Sequence, residues 1–237
     1  MIGTWFSALQ GSFVNALAIV AGGLIGLFLG NKIPEKVKTL VLQGIALAVL
    51  VIGMQTALAL QNPVIVIFSL LLGGIVGEML GIEEWLHKAG AWLESRAAHS
   101  ESGLARAFVL ATLVYVIGAM AVTGALESGL LGQHQTLYVK SILDGFTSIA
   151  FAATMGVGVC FAALPVFLYQ GIIALAAGTL KPFLGPDVIS ELSGVGGMLI
   201  IAIGLNMLEL VKIKVANFLP AFVFVILLAG VILPAIF

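Results

Sequence analysis

Long apolar runs, separated by short polar segments, limit the folds that this chain can adopt. Several of the runs reach the roughly 20 residues that an α-helix needs to cross the hydrocarbon core of a bilayer. Hydrophobic residues make up 61% of the chain and charged residues only 9%, whereas soluble domains carry about 25% charged residues. We therefore predict an all-α fold, a polytopic transmembrane helical bundle that is embedded in the lipid bilayer.

The positions of the runs predict eight spans. They cover residues 11–30, 38–60, 63–81, 105–126, 138–156, 160–180, 193–210 and 216–236. The fifth and sixth are separated by an uncharged, glycine-rich sequence at 156–159, followed by Pro165. This segment reads as a tight hairpin, a broken helix or one kinked helix. A single kinked helix would reduce the count to seven spans.

Positive charge is concentrated in alternate connections. Eight of the ten Lys and Arg residues lie in the segments 32–38, 88–106 and 212–214. With eight spans these segments share one side of the membrane, and the positive-inside rule assigns that side to the cytoplasm. Both termini are then expected to be extracytoplasmic. We expect no cleaved signal peptide, because residues 1–13 lack Lys and Arg and the apolar run that follows is too long.

Residues 83–97 predict an amphipathic helix between the third and fourth spans. Its apolar residues, which include Trp85 and Trp92, recur at helical spacing. The helix reads as an interfacial element with tryptophans at headgroup depth, or as a cytosolic helix packed on the protein. We predict a single membrane domain, 1–237. The amphipathic helix follows a first repeat-like half at 1–81 and precedes central spans at 104–156 and a second repeat-like half at 160–237.

Two segments share the pattern GGxxGxxxG, at 22–30 and 73–81. Each places three glycines four residues apart on one helix face, where two backbones can approach closely. These helix-packing glycines are Gly22, Gly26, Gly30, Gly73, Gly77 and Gly81. The contacts can be made within a subunit or between subunits, so the pattern also favours a homo-oligomer.

A second similarity suggests inverted repeats. Ile52-Gly53-Met54-Gln55 resembles Ile203-Gly204-Leu205-Asn206, and each segment is followed by a polar break and a further span. Spans 1–3 would then correspond to spans 6–8 with the opposite direction of crossing. Transporters built this way bind their substrates near the midplane, where the repeats meet. Gln55 and Asn206 would be equivalent positions, although membrane amides also commonly bond neighbouring helices.

Asp144 is the main candidate for a functional residue, because a carboxylate at membrane depth is costly and usually faces a cavity or a partner. Ser141 and Ser148 share its helix face, with Thr147 beside it. Carboxylate and hydroxyl oxygens suit a sodium ion or a proton. The structural alternatives are an ion pair with Lys140, four residues earlier, or a hydrogen bond to a helix end.

Other polar residues within the spans complete the predicted ion or substrate site. The full set is Asn15, Gln55, Lys140, Ser141, Asp144, Thr147, Ser148, Gln170 and Asn206.

The sequence carries no recognisable enzyme motif, and we predict no catalytic residues. The single Cys160 excludes an internal disulfide and a cysteine-based metal cluster. The three histidines lie in predicted loops, and the net charge of −1 gives no reason to expect nucleic acid. No cofactor is expected beyond a bound sodium ion or proton.

Several motifs together resemble a known bacterial family. They are Gly3-Thr4, Asn15, the run from Gly22-Gly23 to Gly30-Asn31-Lys32-Ile33-Pro34, Lys140-Ser141-x-x-Asp144-Gly145 and Tyr169-Gln170-Gly171. The chain resembles, over nearly its whole length, the family indexed as domain of unknown function 554. The resemblance implies a bacterial inner-membrane protein, suggested to be a sodium channel or pump and loosely linked to biofilm behaviour. It implies no assigned site residue.

The preferred reading is a secondary transporter of a small solute or ion, linked to a cation or proton through Asp144. An oligomeric channel or pore, assembled through the glycine faces, is the first alternative. A scaffold or sensor that transports nothing, with the amphipathic helix as its docking element, is the second. Flux separates them, because a transporter saturates, a channel conducts much faster and a scaffold does neither.

Overall fold

A computed structural model describes residues 2–30, 32–96 and 103–232 of the chain. These residues are largely helical, and none of them forms a β-strand. The predicted all-α fold class is confirmed. Three parts of the predictions lie outside the described residues: Asn31 of the run quoted for the family resemblance, residue 97 of the amphipathic segment and residues 233–236 of the eighth predicted span.

The helices follow one another with short connections. They are α1 Ile2–Gly30, α2 Glu35–Ala57, α3 Pro63–Leu80, α4 Ile82–Arg96, α5 Leu104–Val116, α6 Ala119–Leu131, α7 Gln135–Met155, α8 Gly158–Phe161, α9 Ala163–Leu175, α10 Ala177–Leu180, α11 Pro186–Met207 and α12 Ala221–Leu227. Short 3₁₀ segments at Lys181–Phe183 and Val215–Phe218 precede α11 and α12, and a π-helical turn follows α12 at Leu228–Ile232.

Within the described part, five helices are long and apolar enough to cross a membrane, and a bent pair gives a sixth span if it is counted as one. The five are Ser7–Gly30, Glu35–Ala57, Pro63–Leu80, Gly158–Leu175 and Pro186–Met207. The predicted count of eight is higher for two reasons. Helix α7 has 21 residues but carries Lys140 and Asp144, which lower its hydropathy. The last apolar helix, Val215–Gly230, is shorter than a full span.

Glycines break the helices at two places in the middle of the chain. Helices α5 and α6 meet at an angle of 62°, and Gly118 between them has a φ of 141°. Helix α7 ends at Gly156, which has a φ of 87°, and Gly158 begins the next helical segment. Both φ values lie in a region that glycine enters without steric cost. The predicted spans 138–156 and 160–180 are therefore separate helices joined by a tight connection.

The chain divides into two compact units. Unit 1 comprises Met1–Ile45, His87–Val116 and Met120–Gly178, and unit 2 comprises Ala46–Leu86, Ile117–Ala119 and Thr179–Phe237. Helices α1, α7 and α9 form the centre of unit 1, whereas α3, α11 and α12 form the centre of unit 2.

In unit 1, α1 and α7 run parallel and in close contact. A Cβ added at Gly22, Gly26 or Gly30 would overlap backbone atoms of Gly145, Ile149 and Ala153 respectively, so each step of four residues on α1 meets a step of four on α7. Larger side chains at these three glycines would push the helices apart. We use the name α1–α7 seam for the contact between residues 8–30 of α1 and 137–153 of α7.

In unit 2 the second glycine motif packs against the end of the chain. A Cβ at Gly73 would overlap Ala221, and one at Gly77 would overlap the carbonyl oxygen of Asn217, so α3 runs antiparallel to the segment that contains α12. Gly81 differs from its two partners in the motif. It caps α3 in a left-handed conformation with a φ of 62°, and no atom lies nearer than 3.9 Å to the position of its Cβ.

Three helix pairs are antiparallel in the way that an inverted repeat requires. Helix α1 meets α9, where Leu9 contacts Gly171 and the rings of Phe13 and Phe167 lie 6.5 Å apart. Helix α2 meets α11 through Gly53 and Gly197, and α3 meets α12. These pairs join the predicted spans 1 and 6, 2 and 7, and 3 and 8. The repeat itself stays a prediction.

The amphipathic segment forms helix α4. Trp85 and Trp92 are well exposed on it, while Leu86 is buried. The guanidinium of Arg96 stacks over the Trp92 ring at 5.3 Å from its centroid. A helix with exposed tryptophans beside charged residues suits either of the two positions predicted for it, at the membrane interface or against the protein.

Candidate functional site

The centre of the candidate site is a buried ion pair on α7. The Nζ atom of Lys140 lies 2.9 Å from both carboxylate oxygens of Asp144. The two side chains have relative exposures of only 9% each. The spacing of four residues places them on one helix face, and the pair is the structural alternative that the sequence offered for Asp144. Asn15 of α1 contacts this face.

Two carboxamides from other helices complete the cluster. Asn15 of α1 donates from Nδ2 to the Oδ2 atom of Asp144 at 3.0 Å. The same Nδ2 donates to Oε1 of Gln170 on α9 at 3.3 Å. Asn15 and Gln170 are completely buried. The structure thus brings together four of the predicted site residues, drawn from three helices of unit 1.

Some buried polar atoms around the ion pair have no hydrogen-bond partner among the described residues. They include Oγ of Ser12, Oδ1 of Asn15 and Nε2 of Gln170. Ser12 and Asn15 are three residues apart and therefore share one face of α1. The cluster consequently offers hydrogen-bond donors and acceptors beyond those that its own members use.

The serines of α7 lie on the same buried face as Asp144 but have other partners. Ser141 donates to the carbonyl of Leu137 within its own helix at 2.6 Å. Ser148 shares a hydrogen bond of 2.8 Å with the hydroxyl of Tyr115, a fully buried residue of α5. Thr147 is only partly buried and donates to the carbonyl of Leu143. The hydrogen bonds of Ser141, Thr147 and Ser148 therefore all go to groups other than the carboxylate of Asp144.

A second polar group lies at the end of the seam where α1 and α7 begin. Gln10 donates to the Tyr138 hydroxyl at 3.0 Å, and Ser128 of α6 lies 2.7 Å from Nδ1 of His134. Ser128 also donates to the carbonyl of Ala8. Leu137 lies near this group, is fully buried, and packs against Gly11 of α1 and Gly124 of α6.

Gln55 and Asn206 lie in unit 2. Gln55 is exposed on α2. Asn206 binds the main chain of Ile213, donating to its carbonyl at 2.7 Å and accepting from its N–H at 2.9 Å. These two hydrogen bonds to one residue hold the connection that follows α11 in place. The sequence analysis allowed this structural role as the alternative for amides in membrane helices.

Two buried residues near these clusters were not among the predicted site residues. Tyr115 lies in an apolar run, and only its hydroxyl distinguishes it from the packing residues around it. Glu191 lies in the second turn of α11 and is 2% exposed. Its Oε1 accepts from the N–H groups of Gln61 at 3.0 Å and Asn62 at 2.7 Å, just before α3, whereas its Oε2 has no partner among the described residues.

The geometry at Asp144 restricts what the cluster can bind. The ammonium of Lys140 already occupies the position that a cation would take between the two carboxylate oxygens, so an incoming cation or proton has to compete with it. Among the described residues, no group of three or more His, Cys, Asp or Glu is arranged to hold a metal ion.

Comparisons with known proteins agree with a membrane location. The family model described as "Protein of unknown function (DUF554)" matches residues 10–230. "Uncharacterized membrane protein YdfK" of Bacillus subtilis (strain 168) is 32% identical over 215 residues, which cover 89% of this chain and 91% of that protein. "Uncharacterized protein YqgA" of Escherichia coli (strain K12) is 30% identical over 216 residues, covering 89% and 92%. No solved structure matches this chain.

Proposed function

Given that this chain belongs to the family described as protein of unknown function DUF554, we propose from its geometry that it is a secondary transporter. It moves a small solute or ion across the membrane and is linked to a proton or cation through Asp144. The observation that carries the proposal is the buried Lys140–Asp144 pair, held by amides of two further helices.

A buried ion pair gains little net stability, because the loss of hydration offsets the attraction between the charges. A well-packed apolar pair would serve a purely structural helix contact at least as well. Ionisable residues inside membrane proteins therefore mark ion or proton pathways by default. The pair in this chain is also linked to α1 and α9, so a change in its charge reaches three helices.

The pair supports an exchange mechanism. A proton that reaches Asp144 forms an O–H bond on one carboxylate oxygen and removes its negative charge. Lys140 then loses the attraction that holds it and can turn away. A small cation that binds the carboxylate displaces the ammonium in the same way. In both cases one positive charge replaces another at Asp144, and loss of the charge restores the ion pair.

Asn15 is the residue that links this exchange to the other helices. Its Nδ2 donates to Asp144 and to Gln170, and an ionised carboxylate is the stronger of these acceptors. When Asp144 becomes neutral, the bond from Asn15 weakens and the balance between its two partners shifts. The contact of α1 with α7 and with α9 therefore depends on the charge of Asp144.

The setting of the proposed transporter is the bacterial inner membrane, with both termini on the extracytoplasmic side. Eight of the ten Lys and Arg residues then lie in connections that face the cytoplasm. The proposal includes no enzymatic activity and no cofactor other than the transported or coupled ion. A homo-oligomer would need surfaces beyond the glycine faces of α1 and α3, since both are occupied within the chain.

Flux in proteoliposomes tests the proposal. Vesicles loaded with a pH-sensitive dye are given imposed proton and sodium gradients, and the rate of pH change is measured for the purified protein. Because Asp144→Asn alone leaves Lys140 unpaired, the main variant is Asp144→Asn/Lys140→Met, which removes both charges together. Glu35→Gln is the matched control, since Glu35 is an exposed carboxylate that pairs with Lys38 at the surface.

We expect saturable, gradient-dependent flux for the wild type and the Glu35→Gln variant, and none for the double variant. Unchanged flux in a well-folded double variant would remove Asp144 from the mechanism. Non-saturating, much faster flux in the wild type would favour a channel, whereas a complete lack of flux under these gradients and with candidate solutes would favour a scaffold or sensor.

A further inference from the structure

The unpaired polar atoms beside the ion pair form a group of their own. Ser12 Oγ, Asn15 Oδ1 and Gln170 Nε2 have no partner among the described residues, and all three side chains are completely buried. Asn15 and Gln170 are bonded to each other, and Ser12 lies one helical turn before Asn15 on the same face. Three unpaired atoms thus surround one short stretch of the α1–α7 seam.

The chemistry of these atoms suits water. Asn15 offers an acceptor, Gln170 offers a donor and Ser12 offers both. Water in protein interiors makes two to four hydrogen bonds to polar groups that lack other partners. A water molecule at this stretch would satisfy the atoms and would lie next to the carboxylate of Asp144.

The seam is closed tightly at the end where α1 finishes. Ile19, one helical turn after Asn15 on the same face of α1, is fully buried. Next come Gly22, Gly26 and Gly30, where even a Cβ would overlap backbone atoms of α7. These three contacts extend over about 12 Å of helix. A contact that has no room for a methyl group has no room for a water molecule either.

The side chain of Leu137 lies at the opposite end of the seam. Leu137 is fully buried, and its atoms occupy the space left by two glycines, Gly11 on α1 and Gly124 on α6. Gln10, one residue before Gly11 on α1, is exposed and donates to the hydroxyl of Tyr138. Leu137 therefore lies beside a polar group that includes an exposed residue, whereas three backbone contacts close the other end of the seam.

We propose that Ser12, Asn15 and Gln170 bind water beside Asp144, and that this water enters past Leu137 from the end of the seam where α1 begins. Leu137 acts as the gate. Movement of its side chain out of the space beside Gly11 and Gly124 opens the polar stretch to solvent, while the glycine contacts keep the other end closed. The role of this water as a proton carrier rests on the proposed transport function, whereas its binding and its route do not.

Thiol labelling tests the route. The background is Cys160→Ser, which removes the one native cysteine. Ser12→Cys reports on the polar stretch, and Ile19→Cys is the matched control on the same face of α1, beyond the ion pair. The reagent is the membrane-impermeant 2-(trimethylammonium)ethyl methanethiosulfonate. The introduced thiolate attacks its sulfur, a disulfide forms and methanesulfinate leaves. It is applied separately to right-side-out and inverted vesicles.

Two further substitutions isolate the gate. Leu137→Ala removes the side chain that closes the route, and Leu143→Ala is the control, an exposed leucine of the same helix. We expect slow labelling of Ser12→Cys from one side only, that of the α1 start. Leu137→Ala should raise the rate by about tenfold, equivalent to about 1.4 kcal/mol in the free energy of opening. Leu143→Ala should leave it unchanged, and Ile19→Cys should stay unlabelled.

The proposal is overturned if Ser12→Cys is labelled from the opposite side, if Leu137→Ala fails to raise the rate, or if Ile19→Cys is labelled as readily. Should Ser12→Cys misfold, Ser141→Cys on the facing helix replaces it, with the same expectations. Failure of the transport proposal looks different. In that case labelling follows the expected pattern while the Asp144→Asn/Lys140→Met variant has unchanged flux.

Discussion

Buried polar side chains have different kinds of partner in the two units. In unit 1 the charged and amide groups of Asn15, Lys140, Asp144 and Gln170 bind one another. In unit 2 the buried Glu191 and the half-buried Asn206 bind main chain. Glu191 accepts from two N–H groups before α3, and Asn206 forms hydrogen bonds with both main-chain polar groups of Ile213. Asn217 accepts from the N–H of Glu83 at 2.7 Å and also donates to Oε2 of Glu78 at 2.6 Å.

The difference separates structural polar groups from groups that can rearrange. A main-chain N–H cannot change its charge, and it moves only with its helix or connection, so the bonds in unit 2 fix loops and helix ends. Side-chain partners can change protonation state and rotamer while the backbone stays in place. The proposed exchange at Asp144 needs side-chain partners of this kind, whereas the main-chain bonds of Glu191 and Asn206 in unit 2 hold connections in place.

The largest effect is expected from separating the ion pair. Lys140→Met leaves Asp144 buried without its counter-ion and should lower the free energy of unfolding by about 3–5 kcal/mol. Asp144→Asn/Lys140→Met should recover most of that loss, because no charge is left unpaired. Denaturant unfolding in detergent measures both. Equal losses in the single and double variants would show that packing, not charge, explains the effect.

The next largest effect concerns the cap in unit 2. Glu191→Leu removes the acceptor of two N–H groups and should cost about 2–3 kcal/mol of unfolding free energy. Glu191→Gln keeps an acceptor oxygen and should cost clearly less. Neither variant should alter flux per folded molecule in proteoliposomes. A selective loss of flux in Glu191→Gln would remove the distinction between the two units.

Substitution of Asn206 or Asn15 should have a smaller effect on stability, and the two variants compare an asparagine of each unit directly. Asn206→Ala removes two hydrogen bonds to one connection and should cost about 1–2 kcal/mol, with normal flux from the folded protein. Asn15→Ala should cost a similar amount and also reduce flux, because Asn15 links Asp144 to Gln170. If Asn15→Ala and Asn206→Ala have the same flux, the hydrogen-bond partners of an asparagine do not predict whether it takes part in transport.

The smallest effect is expected at the surface of unit 2, where Lys214 lies 2.5 Å from Glu78. The hydrogen bond to Glu78 raises the pKa of Lys214 above its usual value of 10.5. The stabilisation that the Lys214–Glu78 pair gives the folded state is therefore complete at pH values below 10.5, and it is lost as the pH rises through the raised pKa of Lys214. Lys214→Met should lower the melting temperature only slightly at pH 7, since exposed pairs contribute little. The difference from the wild type should disappear in strongly alkaline buffer.

The sequence predicted the members of the cluster better than their arrangement. The spacing of Lys140 and Asp144 offered the pair as the structural alternative to an ion site, because residues four apart meet on a helix. Asn15 and Gln170 could be selected because polar residues are rare in such apolar runs. Their contact joins positions 155 residues apart in sequence, and no local pattern encodes a contact at that distance.

Other features had weaker signals. Glu191 lies in the second turn of α11, near a helix start that already carries Asp187, and its partners lie on a connection 129 and 130 residues away in sequence. The break at Gly118 interrupts a run that reads as one apolar span. Gly81 completes the glycine motif in sequence but ends the helix as a cap, since a glycine spacing does not indicate where the helix stops.

The parallel contact between α1 and α7 has a consequence for biosynthesis. Residues 31–134 separate the two helices, and at about 5–20 residues per second their translation takes roughly 5–20 seconds. During that interval α1 has entered the membrane while Asn15 still lacks Asp144, and the glycine face from Gly22 to Gly30 lacks the helix that will cover it. The insertion machinery or lipid acyl chains must accommodate this exposed face until α7 emerges. Helix α1 therefore acquires its main neighbours only after α7 and α9 have been made.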